Sequence, residues 1–179
     1  LDGAVFPDKI AVPNCESVHD RAVLEVMRGC YRGCRFCQAG FLYRPVRKRS
    51  VATLTKQACS LIKATGYGAA SLNSLSTADY GKLSELLKSR KGTLPPEITL
   101  ALPSLRVDSF DGEFAQDSRK TSLTFAPEAG TQRLRDVINK DITEEEILRA
   151  AESAFNAGYS AVKLYFMIGL PTETDEDLQ

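Results

Sequence analysis

The sequence predicts an α/β protein with parallel strands, and three observations predict it. Short apolar runs alternate with amphipathic segments along the 179 residues, helix-ending and strand-opening residues fall at the junctions, and no internal repeat or low-complexity tract breaks the rhythm. Such alternation joins parallel strands through right-handed crossovers. Candidate strands span 22–27, 69–73, 97–103, 121–126 and 160–168, with helical patterns at 53–65, 77–91, 130–138 and 144–157. Five strands are too few for a full eight-stranded barrel, which leaves an open α/β sheet or a partial barrel. In both, ligands gather at the carboxyl ends of the strands.

Taken in order, the first helix ends at Gly66, which suits a left-handed cap. Ser76 can open the second by capping its free N–H groups. Pro95-Pro96 cannot continue a helix and marks the entry to the third strand. A short crossover element is expected after Asp111. Gly130 and Thr131 open the next helix. Thr143 with Glu146 is a capping box ahead of the last long helix, which ends at Gly158. Thr174 followed by Asp175, Glu176 and Asp177 starts a further helix.

Hydrophobic residues make up 43% and charged residues 26% of the chain, which fits a soluble globular protein. Lys plus Arg and Asp plus Glu both number 23, so net charge gives no support for a general nucleic-acid or membrane binder, though a local patch stays open. No apolar run approaches the roughly 20 residues that span a bilayer. The start, Leu1-Asp2-Gly3-Ala4, has no basic or long apolar signal region and no initiator Met. The expectation is an excerpt of a longer protein, with 1–20 as an N-terminal arm or linker and 21–179 as a core domain incomplete at its C-terminus. Five cysteines, three of them within eight positions, argue against a secreted disulfide scaffold and for metal chemistry in a reducing cytoplasm.

The three stand in Arg28-Gly29-Cys30-Tyr31-Arg32-Gly33-Cys34-Arg35-Phe36-Cys37, with the spacing C-x3-C-x2-C. Gly29 and Gly33 allow the tight turns that point three thiols at one centre. A zinc site would need a fourth ligand, and the lone His19 lies far from the motif. Three unrelated structural thiols are the plain alternative. An iron–sulfur site fits best. Ordinary clusters use four thiolates, so three would leave one iron open to a substrate or cofactor.

Phe36 before the last cysteine and a strand before the first complete a pattern that resembles the radical S-adenosylmethionine (radical SAM) signature. The resemblance spans about residues 21–179. It implies a partial (β/α)6 TIM-like barrel, here truncated after about five strands. It further implies a [4Fe–4S] cluster on Cys30, Cys34 and Cys37, binding S-adenosylmethionine and cleaving it reductively to a 5′-deoxyadenosyl radical that modifies a substrate. The protein's own share of such chemistry is binding, orientation and exclusion of side reactions. The alternative is an electron-transfer or redox-sensing module that never cleaves the cofactor.

Several segments extend the resemblance. Met167-Ile168-Gly169-Leu170-Pro171-Thr172-Glu173-Thr174 is similar to the family's Gly-Leu-Pro-x-Glu-Thr element, which implies backbone at Ile168 and Gly169 against the adenine; a buried strand ending in a turn would read the same. Pro127-Glu128-Ala129-Gly130-Thr131 resembles a Glu-x-Gly-(Ser/Thr) step and implies Glu128 at the ribose or methionine end, or else a helix N-terminal acid. The family's Gly-Gly-Glu step is replaced by Ser74-Leu75-Ser76-Thr77, so Ser76 is a candidate ligand of the cofactor ammonium or only a cap. Ser104 and Arg106 stand near the end of the third strand, where Arg106 pairs either the cofactor carboxylate or Asp108.

The runs 25–30, 38–41 and 44–47 resemble a branch in which a cobalamin-binding-like domain precedes the radical domain, and 124–140 is distantly similar to methylthiotransferases. These imply a flavodoxin- or ferredoxin-type electron donor and a cobalamin carried upstream. Seven basic residues between Met27 and Ser50, with no acidic one, would admit an RNA substrate, or simply balance the cluster's charge. Cys59 reads as core. Cys15 is a candidate fourth ligand that would close the open iron.

Overall fold

The computed structural model describes residues 1–15, 17, 20–89, 93–101, 106–107 and 122–179. In chain order the elements are β1 (Ala22–Glu25), β2 (Met27–Arg28), α1 (Ala39–Leu42), β3 (Arg47–Lys48), α2 (Val51–Thr65), β4 (Ala69–Asn73), a 3-10 turn (Thr77–Tyr80) and α3 (Leu83–Ser89). They continue with β5 (Thr99–Ala101), β6 (Ser122–Glu128), α4 (Gln132–Val137), α5 (Glu144–Asn156), β7 (Ala161–Phe166) and α6 (Asp175–Leu178). Two compact units result, Leu1–Arg28 with Val46–Pro103, and Gly29–Pro45 with Ser104–Gln179. Among the described residues no helix is long and apolar enough to cross a membrane.

The first unit is built on a parallel sheet in the order β1-β4-β5. Strand side chains alternate between faces, and the register places Ala22 opposite Ala70 and Leu24 opposite Leu72, all buried, while the intervening Val23 faces out. Helix α2 turns Val51, Leu54, Ala58 and Leu61 inward at helical spacing. Each leucine buried in this layer contributes about 1.5–3 kcal/mol. Ser50 caps α2 by accepting the Thr53 N–H at 3.2 Å, and Gly66 closes it in the left-handed conformation at φ 72°. The N-terminal arm lies on this helix start: Asp2 Oδ1 accepts the Ser50 N–H at 2.7 Å, and Arg49 donates to the Leu1 carbonyl.

The helix expected over 77–91 is two elements. Gly81 takes φ 76° and ends a single 3-10 turn, so α3 begins afresh at Leu83. The strand expected over 22–27 divides likewise into β1 and β2, the latter pairing antiparallel with β3. The crossover element expected after Asp111 lies outside the described residues.

The second unit rests on the parallel pair β6 and β7, whose register runs from Ser122 opposite Ala161 to Glu128 opposite Phe166, with an irregularity between Phe125 and Glu128. One apolar cluster gathers Ala129, Leu134, Ile138 and Leu170; another packs Leu123, Ala157 and Val162 around Ala154 and Tyr159. The capping box at Thr143 and Glu146 is formed, and Gly158 (φ 89°) follows α5. Arg135 is buried and satisfied by carbonyls, donating to Ile142 at 2.9 Å, Ala129 at 3.1 Å and Gly130 at 2.7 Å.

Candidate functional site

Chain direction changes at Gly29, whose φ of 91° is left-handed, and Cys30 follows at once. Cys30 and Cys34 are each only 9% exposed, Cys37 is half-buried, and all three thiols are free. The Arg32 N–H donates to Cys30 Sγ at 3.4 Å, and the Cys37 N–H donates to the Cys34 carbonyl at 3.1 Å. Gly33 serves differently from the sequence expectation. Its backbone is not left-handed; it is small because a Cβ there would stand 2.9 Å from Asn139 Nδ2.

Among the described residues, no three Cys, His, Asp or Glu side chains are gathered to hold a metal ion. A tetrahedral zinc with bonds of about 2.3 Å would need its sulfurs within roughly 4 Å of one another. A cube of iron and sulfide would offer a separate iron to each of the three thiolates that this one loop supplies. Three free thiols, one already accepting a backbone N–H, fit that soft, anionic group.

Support for the loop comes from the connection between α4 and α5. Ile138 accepts the Arg35 N–H at 2.9 Å, and Asn139 Nδ2 donates to the Gly33 carbonyl at 2.8 Å. The Arg35 guanidinium donates to the Val137 carbonyl, and Arg32 faces the Asp141 carboxylate at 3.8 Å. Lys140, largely buried, pairs with Glu128 Oε1 at 3.2 Å and stands 5.9 Å from the centre of the Phe36 ring. Sequence reasoning missed Asn139, Lys140 and Asp141. The available signal was an Asn just past a helix, a position that suits left-handed backbone.

Other expected residues fall as follows. Glu128, at the end of β6, has a left-handed φ of 71°, and its carbonyl accepts the Met167 N–H at 2.8 Å, tying the ends of β6 and β7 together. Arg106 donates to the Lys140 carbonyl at 3.0 Å. Ser76 sits in the first unit, buried, and gives its hydroxyl proton to Asp79 Oδ2 at 2.7 Å, so its local role is that of a turn residue. Ser104 lies outside the described residues. Cys15 is exposed in the first unit, and Cys59 is half-buried with its thiol toward the Thr93 carbonyl at 3.6 Å.

Ile168 is 81% exposed, and Gly169 turns at φ 89° with open space where a Cβ would be. The turn is held from below. Glu173 Oε2 accepts the Gly169 N–H at 2.6 Å, and Asp177 accepts from Thr131 Oγ1, from Arg133 and from the Thr174 N–H. The Thr131 hydroxyl first, then Arg133, hold the Asp177 carboxyl well below the usual aspartate range.

The basic run is largely engaged within the chain. Arg28 grips Glu25 through two bonds of 2.6 and 2.8 Å, which lowers the Glu25 carboxyl pKa. Arg44 donates to the Gly40 and Arg32 carbonyls, Lys48 to the Asp79 carbonyl, and buried Arg49 lies 3.6 Å from Glu25.

Comparison with known proteins agrees with this geometry. The family profile described as Radical SAM superfamily matches residues 24–179. An uncharacterised protein of Methanocaldococcus jannaschii is 39% identical over 157 residues, covering 88% of this chain and 35% of its own. A protein of Archaeoglobus fulgidus named as a probable threonylcarbamoyladenosine tRNA methylthiotransferase is 23% identical over 173 residues, covering 87% and 39%. The chain thus spans about a third of the length of the curated relatives it matches. Among solved structures, the radical S-adenosylmethionine methyltransferase TsrM from Kitasatospora setae, with cobalamin and a [4Fe–4S] cluster bound, superposes with a TM-score of 0.68 at 16% identity, covering 88% of this chain and 33% of that one. The fold is thus the α/β fold of the TIM-like radical SAM enzymes.

Proposed function

Because the chain belongs to the radical SAM superfamily, we propose that it is the cluster- and cofactor-binding core of a radical enzyme. The observation that supports this most is the loop of three free cysteines, with Cys30 and Cys34 shielded and no fourth ligand in the motif. Cys30, Cys34 and Cys37 would hold three irons of a [4Fe–4S] cluster. When bound, that cluster supplies an open iron for the methionine end of S-adenosylmethionine and the electron that breaks its sulfonium bond to give a 5′-deoxyadenosyl radical.

The chain's own residues do the positioning. The Arg32 N–H offsets negative charge on the Cys30 sulfur. Glu128 and Lys140 present an acceptor and a cation side by side, suited to a zwitterionic or hydroxyl-bearing ligand. The exposed backbone at Ile168 and Gly169 offers a flat ligand edge its main chain, with Glu173 fixing the turn beneath. A flavodoxin- or ferredoxin-type donor would reduce the cluster, and cobalamin would be held outside these residues. RNA stays a candidate substrate through the methylthiotransferase likeness alone, since the basic run serves internal contacts.

Anaerobic reconstitution with iron and sulfide tests the reading. The expected result is about four irons per chain, an electron-spin resonance signal after dithionite, and a change of that signal when S-adenosylmethionine is added. Cys34→Ala should abolish all three. A cluster that assembles yet ignores S-adenosylmethionine, with no 5′-deoxyadenosine formed, would establish the electron-transfer alternative.

A further inference from the structure

The geometry points to Asn139 as a positioning residue for the three-cysteine loop, holding the peptide group before Cys34 while the adjacent Ile138 carbonyl holds the one after it. The inference deepens the cluster reading above and rests on it. Asn139 Nδ2 donates to the Gly33 carbonyl at 2.8 Å, and the Ile138 carbonyl accepts the Arg35 N–H at 2.9 Å. Gly33 C=O belongs to the peptide plane before Cys34, and Arg35 N–H belongs to the plane after it. Only φ and ψ of Cys34 separate those planes. Anchoring both planes to one rigid connection therefore sets both angles, and with them the Cα–Cβ bond of the central thiol. The Gly33 carbonyl can only accept, so the amide nitrogen of Asn139 must face it.

That connection is itself well fixed. Helix α4 ends in a Schellman motif: the Lys140 N–H donates to the Arg135 carbonyl at 2.9 Å and the Asn139 N–H to the Asp136 carbonyl at 3.0 Å. Asn139 and Asp141 both take φ 53°, and Arg106 donates to the carbonyls of Lys140 and Asp141 at 3.0 and 3.4 Å. Gly33 completes the fit from the other side, since any Cβ there would meet Asn139 Nδ2 at 2.9 Å.

A rival explanation makes Asn139 only a convenient left-handed residue after a helix. Glycine separates the two, because it takes that backbone more readily and lacks the carboxamide. Asn139→Gly should leave the urea midpoint of the cluster-free chain unchanged or raised. It should speed iodoacetamide alkylation of Cys34, read by peptide mass spectrometry, about five- to tenfold, the scale of one lost hydrogen bond. It should also speed loss of iron to a chelator by a similar factor and alter the reduced cluster's spin-resonance line shape. Asn139→Asp, the same shape without the donor, should behave alike.

Gly33→Ala should reproduce the faster alkylation, and Gly33→Ala with Asn139→Gly should be no worse than either alone, because both remove one contact. Wild-type alkylation and iron-loss rates in Asn139→Gly, or additive effects in the double variant, would overturn the assignment. Failure of the wild-type chain to take up iron would instead sink the cluster reading, and the Cys34 alkylation ratio would still decide whether Asn139 fixes that residue.

Discussion

The two units hold themselves together by different means. In the first, Leu24, Leu54, Leu72 and Leu100 form one apolar layer between a parallel sheet and α2, and each strand alternates buried with outward residues. In the second, polar groups do much of the bracing: buried Arg135 spans three carbonyls, Asp177 ties α6 to Thr131 and Arg133, and Asn139 holds the cysteine loop. Strand β7 is as apolar as β4, yet Leu164, Tyr165 and Phe166 are exposed. An apolar run therefore fixes that a strand forms. What covers it is a separate matter.

Substitutions that strike each kind of support would sharpen or break this contrast. Leu72→Ala, in the fully buried layer of the first unit, should lower stability by about 2–5 kcal/mol in urea titrations of the cluster-free chain. A loss below ~1 kcal/mol would mean the layer is loosely packed. Arg135→Leu should cost on the order of 3 kcal/mol, because buried carbonyls left without a donor lose about 1–3 kcal/mol each. A neutral result would show that the second unit does not depend on polar bracing.

Smaller effects follow. The Asp177 carboxyl is held below its ordinary pKa, so its stabilisation is complete above that ordinary value and fades as pH falls toward the folded-state one. The urea-midpoint deficit of Asp177→Asn should accordingly be full at about pH 6 and shrink below about pH 4. A deficit that stays constant through the acid range would contradict the Thr131 and Arg133 bonds. Thr143→Ala, which opens the α5 capping box, should cost about 1 kcal/mol. Leu164→Ala on exposed β7 should change stability by less than ~0.5 kcal/mol, and a loss on the scale of Leu72→Ala would erase the contrast between the strands.

Much of this was legible in the chain itself. Short apolar runs and amphipathic segments marked the bounds of β4 and placed α2 and α5 to within a few residues, and the caps at Gly66, Thr143 and Gly158 formed as expected. The failures were local and physical. Gly81 splits a continuous helical pattern because a left-handed residue ends the 3-10 turn. Ser76 gives its hydroxyl proton to the Asp79 carboxylate and makes no side-chain cap to the turn's N–H groups. Lys140 and Asn139 escaped notice because a helix-ending Asn-Lys pair has no chemistry until Glu128, Phe36 and Gly33 are beside it.

The sequence by itself determined where most of the longer strands and helices form and which thiols are bunched, because apolar patterning, capping and C-x3-C-x2-C spacing are properties of neighbouring residues. Tertiary structure alone decided which side chains serve those thiols. Gly33 and Asn139 are separated by 106 positions, and their contact exists only after β6, α4 and the turn beyond it have folded. A hydrogen bond acts over about 3 Å, so its partner is specified by where the chain returns and never by the order in which residues are written.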